Sequence, residues 1–103
     1  MPETTALSET EIDALLRAEL PGWTFTDNAL QRIYSGPAYP DALQLLFDIG
    51  QLSERLNHHP DLLLHYKTLT IRYWTHTAKG ITQRDVDLAI EAEKLIGTMT
   101  KQT

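Results

Sequence analysis

Two sets of side chains alternate between Leu62 and Thr75: Leu62, Leu64 and Tyr66 are interleaved with Leu63 and His65, and Leu69, Ile71, Tyr73 and Thr75 with Thr70, Arg72 and Trp74. A period of two commits each set to a strand whose faces differ. The break at Lys67-Thr68 joins the two strands by a tight turn, which forces them antiparallel. The apolar face of such a hairpin must be covered, so the rest of the chain has to supply the cover.

The remaining sequence divides into elements suited to that task. Ser8 and Glu11 form a capping-box pair, Leu7 and Ile12 a hydrophobic staple, and Ile12, Leu15, Leu16 and Leu20 recur at helical spacing before Pro21-Gly22 ends the helix. Trp23–Thr26 and Leu30–Ser35 alternate around the turn pair Asp27-Asn28 and predict a second hairpin. Pro40 opens a long helix over about Tyr39–Asn57. Its main stripe is Ala42, Leu45, Leu46, Ile49, Leu52 and Leu56, with Leu43 and Phe47 on a flanking face suited to a subunit contact. Gly50 inside this helix suggests close packing of a neighbouring backbone. Thr82 and Asp85 cap a last helix over Val86–Met99.

The order α-β-β-α-β-β-α predicts an α+β fold: one domain over residues 1–103, a four-stranded antiparallel sheet with three helices packed on one face, and frayed ends at 1–6 and 100–103. The open face and edges of such a sheet suit a second subunit, so a homodimer or homotetramer is expected.

Composition narrows the function. A formal net charge of −5 with scattered basic residues argues against direct nucleic-acid binding. No membrane-length apolar run and no secretory signal pattern are present, which makes a cytoplasmic location the expectation. The absence of cysteine excludes disulfides, thiolate catalysis and sulfur-bound zinc. No Gly-rich phosphate loop, Gly-x-Ser-x-Gly elbow or His-Glu-x-x-His helix occurs, so phosphoryl transfer, acyl transfer and a catalytic metal are all disfavoured.

Histidines carry the remaining chemistry. Glu54 precedes His58 by four residues, so a helix reaching that far would let the carboxylate orient or charge the imidazole. His59-Pro60 forces extended backbone, sending His58 and His59 in different directions. Pairing of the two strands brings Thr75-His76 back toward them. Near neutral pH such a cluster can hold one ring neutral as base and another protonated as acid, the pair that elimination of water requires. Taken singly, His58 could cap the helix, His59 pack beside Pro60 and His76 be a solvated strand end. His65 reads as an exposed or half-buried sheet residue, and Asp85 as a helix cap within reach of His76. Trp23 and Trp74 could stack on a flat heterocycle, although core or interface packing suits Trp23 better.

Glu54-x-x-x-His58-His59-Pro60, then Tyr66, Thr75-His76 and Asp85, resembles the pterin-4a-carbinolamine dehydratase family. The resemblance extends over nearly the whole chain, including Gly22-Trp23 and Asp85-Val86-Asp87-Leu88-Ala89. It implies removal of water from 4a-hydroxytetrahydropterin to give quinonoid dihydropterin, in the recycling of the cofactor used by aromatic amino acid hydroxylases. No cofactor is implied, and the partners would be the pterin substrate and a hydroxylase that supplies it. The resemblance places His58, His59 and His76 at the pterin; catalytically, one imidazole is then expected to protonate the departing 4a-hydroxyl and another to remove the N5 proton, with Glu54 setting the charge of His58. Asn57, Trp74, Thr75 and Thr77 would add substrate contacts, with Trp23 a further candidate. Asn57 stands where animal members have an aspartate, and an amide can act neither as base nor as charge. Trp74 stands in place of a smaller residue, which changes the shape of the pocket. Animal members also serve as dimerisation partners of a homeodomain transcription factor, so a non-enzymatic interaction module is the alternative; retention of all three histidines favours the enzyme.

Overall fold

In the computed structural model, which describes residues 5–101, Ser8 begins helix α1 (Glu9–Glu19) with both arms of the capping box. The Glu11 amide donates to Ser8 Oγ at 3.1 Å and the Ser8 amide to Glu11 Oε1 at 2.8 Å. Leu7 packs against the core that contains Ile12, as a staple should. Of the ends expected to fray, residues 1–4 and 102–103 lie outside the described residues. The Leu7 amide is tied to the Ile81 carbonyl at 2.7 Å, and α3 continues two residues beyond Met99.

Strands β1 (Thr24–Thr26) and β2 (Ala29–Ser35) are joined through Asp27 and Asn28, both with left-handed φ (51° and 62°), which suits a two-residue hairpin turn. Helix α2 spans Tyr39–Leu56, with proline in its first turn. Strands β3 (Asp61–His65) and β4 (Thr68–Tyr73) follow, then helix α3 (Gln83–Lys101). The β3–β4 turn lies at Tyr66-Lys67 rather than Lys67-Thr68, because Thr68 pairs with His65. This register sets Leu64 opposite Leu69 and Leu62 opposite Ile71, two aliphatic pairs on the covered face. Tyr66, which the alternation would turn inward, takes a left-handed φ of 56° and stacks on Tyr39 outside the core.

The sheet is antiparallel throughout, in the order β1-β2-β4-β3, so the two hairpins meet through β2 and β4. Leu30, Tyr34, Leu69, Ile71 and Tyr73 point to one face and are buried under the three helices, with Ile12, Leu16, Leu45, Ile49, Val86 and Ala92 among the covering side chains. The opposite face carries Ile33, Thr70 and Leu63 in one cross-strand row, with Ile33 and Leu63 exposed. Leu43 and Phe47 of α2 are exposed as well, as the flanking stripe predicts. Gly50 does not serve close packing: a Cβ there would meet no neighbouring atom within 4 Å.

Candidate active site

The site is built at the end of α2. Asn57 closes that helix in the left-handed conformation (φ 54°, ψ 44°), a state that asparagine tolerates better than most residues. The Asn57 amide donates to the Glu54 carbonyl at 3.3 Å and the His58 amide to the Ser53 carbonyl at 3.1 Å, so the last turn is sealed from its own C-terminal side. Arg84, at the start of α3, donates to the Leu56 carbonyl. The left-handed step turns His58 off the helix axis and changes its partner. Glu54 therefore pairs with His59 (Nε2 to Oε1, 3.0 Å) rather than with His58, and both side chains of that pair are largely exposed.

His58 instead meets Asp85. Its Nε2 lies 2.6 Å from Asp85 Oδ1, and the carboxylate is fully buried. Asp85 Oδ2 accepts from Thr75 Oγ1 at 2.6 Å, the Thr82 amide at 2.9 Å and Thr82 Oγ1 at 3.3 Å. The expected cap is thus present, but the same side chain also gathers β4's continuation, the start of α3 and His58. It bonds His58 and not His76. Position explains this, because the first turn of α3 presents amides and a positive dipole end that offset the cost of burying a carboxylate. An acceptor at Nε2 selects the His58 tautomer with hydrogen on that nitrogen and leaves Nδ1 free to exchange a proton.

The chain leaving β4 supplies the other wall. Trp74 lies on His76, with ring centroids 3.8 Å apart and planes tilted by 36°, and its Nε1 donates to Asp61 Oδ2 at 3.3 Å. A Thr75–Gly80 bridge closes the loop that carries His76 and Thr77. Asn57, His58, His59, Trp74, Thr75, His76 and Thr77 together line an open cavity of about 350 Å³. That volume suits a small heterocycle. Two further clefts of about 250 Å³ lie between α2 and α3, lined by mixed charges and leucines without a histidine.

Seven of the nine residues expected at the site therefore share one cavity. Glu54 pairs with His59 from outside the lining, and Trp23 is not part of the lining either. Trp23 is buried, donates from Nε1 to Glu93 Oε1 at 2.8 Å and stacks on Tyr73, so the packing role holds for it. His65 is an exposed residue of edge strand β3. Among the described residues no group of three or more histidine and acidic side chains is disposed to hold a metal.

Tyr73 was not among the expected site residues. Its ring stacks with both Trp23 and His58, parallel to the imidazole within 7° at a centroid distance of 6.3 Å. Burial pushes its phenol up to about 12, with the nearby Ser53 hydroxyl opposing and the charge of Asp85 adding to the rise. Ser53 directs its own hydrogen to the Ile49 carbonyl at 2.7 Å, and the buried Tyr73 hydroxyl has no hydrogen-bond partner among the described residues. The one signal in the sequence is a phenol at an inward strand position beside the Thr75-His76 pair.

Comparison with known proteins agrees with the fold. The family model described as pterin 4 alpha carbinolamine dehydratase matches residues 5–95. A relative from Roseiflexus sp. strain RS-1, provisionally named a pterin-4-alpha-carbinolamine dehydratase, is 34% identical over 89% of this chain and 98% of its own length. One from Nocardia farcinica with the same provisional name is 35% identical over 89% of this chain and 96% of its own length. A crystal structure of a transcriptional coactivator/pterin dehydratase from Brucella melitensis superposes with a TM-score of 0.81 at 26% identity, covering 87% of this chain and 97% of that one. Fold and site define an α+β protein with a histidine-lined cavity at a helix end. The chain belongs to the pterin-4a-carbinolamine dehydratase family.

Proposed function

We propose that the chain dehydrates a 4a-hydroxytetrahydropterin. The observation that carries this reading is the convergence of His58, His59 and His76 on one cavity, with His58 backed by a buried carboxylate. In the reaction a proton reaches the 4a-hydroxyl, the C4a–O bond breaks and water leaves. The N5 lone pair forms the C4a=N5 bond, and the N5 proton passes to a base. His58, with Nε2 committed to Asp85, takes that proton at Nδ1, and the resulting imidazolium is stabilised by the carboxylate. The acid comes from the exposed pair His59 and His76, with Glu54 hydrogen-bonded to His59 and orienting its ring. Trp74 and His76 offer ring faces to the flat heterocycle, while Asn57, Thr75 and Thr77 offer polar contacts at its edge. These residues require no cofactor for the step.

The substrate would come from an aromatic amino acid hydroxylase after it has oxidised its pterin. Stopped-flow dehydration of synthetic carbinolamine by the purified chain tests the reading. His59→Ala and His76→Ala should each lower the rate toward the uncatalysed one, within the range of about 10²- to 10⁴-fold that acid–base help supplies. Wild-type rates in both variants would refute it.

A second reading rests on a different surface. Tyr39, Leu43 and Phe47 recur every fourth residue on α2 and are all exposed, which suits a protein contact, first of all with a second copy in a homodimer or homotetramer. A pure interaction module would show light-scattering association that Phe47→Glu reduces, and no dehydration activity.

A further inference from the structure

His58 has its edge fixed by Asp85, but a single hydrogen bond leaves an imidazole free to swing about that contact. The aromatic neighbour aligned with it is Tyr73, offset from it with ring centroids 6.3 Å apart. The two rings are parallel within 7°, and the Tyr73 ring also stacks with Trp23, centroids 6.1 Å apart. Trp23 is in turn anchored through Nε1 on Glu93, which also binds Arg32. The aromatic succession thus runs from a fixed tryptophan through the core to the histidine at the cavity.

Core packing alone does not call for this residue. Its inward neighbours on β4 are Leu69 and Ile71, both fully buried, and an aliphatic side chain would continue that row without bringing in a polar atom. The Tyr73 hydroxyl is buried without a partner among the described residues, which is costly in an apolar interior. A flat ring offers what leucine lacks, a plane against which a second plane can be aligned.

We propose that Tyr73 is a positioning residue for His58: its ring sets the plane of the imidazole while Asp85 sets its edge, and it acts on the reaction only through that histidine. The inference rests on the dehydratase reading for its kinetic consequence, but the ring alignment can be tested without it. Two variants separate the ring from the hydroxyl. Tyr73→Phe keeps the plane, so the carbinolamine kcat should stay within about twofold of wild type. Tyr73→Leu removes the plane, and kcat should fall about tenfold with little change in KM, as expected when a reacting group is displaced and substrate binding is spared.

Nitrogen-15 spectra of the histidine rings supply the readout that a merely structural role would not move. Wild type and Tyr73→Phe should show His58 as one sharp species with its hydrogen on Nε2, and Tyr73→Leu a broadened or mixed tautomer signal. Should the leucine variant fail to fold, Tyr73→Met takes its place with the same expectations. Unchanged His58 signals and kcat in a folded leucine or methionine variant would overturn the proposal. So would a loss in Tyr73→Phe as large as in Tyr73→Leu, because the hydroxyl would then be the working group. Absence of dehydration in wild type, with the spectra as expected, would overturn the dehydratase reading and leave the positioning intact.

Discussion

Asp85 and Glu54 each lie one hydrogen bond from a histidine, yet their surroundings give them different weight. Asp85 is fully buried with every donor supplied by the fold, whereas Glu54 is mostly in water, where pairing energies are small. Asp85→Asn places an amide among donors that need an acceptor. It should reduce the carbinolamine kcat by about 10²-fold or more and lower stability by on the order of 3 kcal/mol. Glu54→Gln should leave kcat/KM within about threefold of wild type at moderate salt. Equal losses in the two variants, measured by the same assay and by urea unfolding, would contradict this ranking. The histidines of the cavity were legible because strand pairing brings Thr75-His76 to His58-His59 whatever the details. The partner exchange was not, because the four-residue spacing of Glu54 and His58 means a shared face only while the helix continues, and Asn57 ends it one residue too soon.

At the level of elements, periodicity located every helix and strand, and the discrepancies fall where backbone conformation overrides side-chain pattern. The β3–β4 turn shifts by one residue because Tyr66 accepts a left-handed φ in exchange for two aliphatic cross-strand pairs, a choice invisible to an alternation count. Gly50 is the reverse case, where a reason was sought in packing and the space is open. A glycine in mid-helix with no steric purpose is a site where alanine should help. Gly50→Ala is expected to raise stability by about 0.5–1 kcal/mol through the smaller loss of backbone freedom on folding, seen as a higher urea midpoint at unchanged slope. A lower midpoint would show that another surface comes close to that backbone after all.

For the molecule as a whole, the α-β-β-α-β-β-α order follows from the sequence, but the joining of the hairpins through β2 and β4 does not, since either strand of each hairpin has a free edge to offer. That pairing sets Tyr73 opposite Leu30 in the middle of the sheet, under the helices, and so gives global stability a dependence on alkaline pH. In the unfolded chain the phenol loses its proton from about pH 10, while in the fold it keeps it up to about 12. Between those values unfolding releases a proton, so the folded state weakens as pH rises; below about 10 the contribution is fully present. At about pH 11 the loss amounts to roughly 1.4 kcal/mol. Tyr73→Phe has no such group, and the other tyrosines cancel between the two proteins. Urea unfolding at pH 8 and near pH 11 should therefore show wild type losing that much more stability than Tyr73→Phe. Parallel losses in the two would mean that the phenol is reached by solvent, and that the wall behind His58 is less closed than its burial shows.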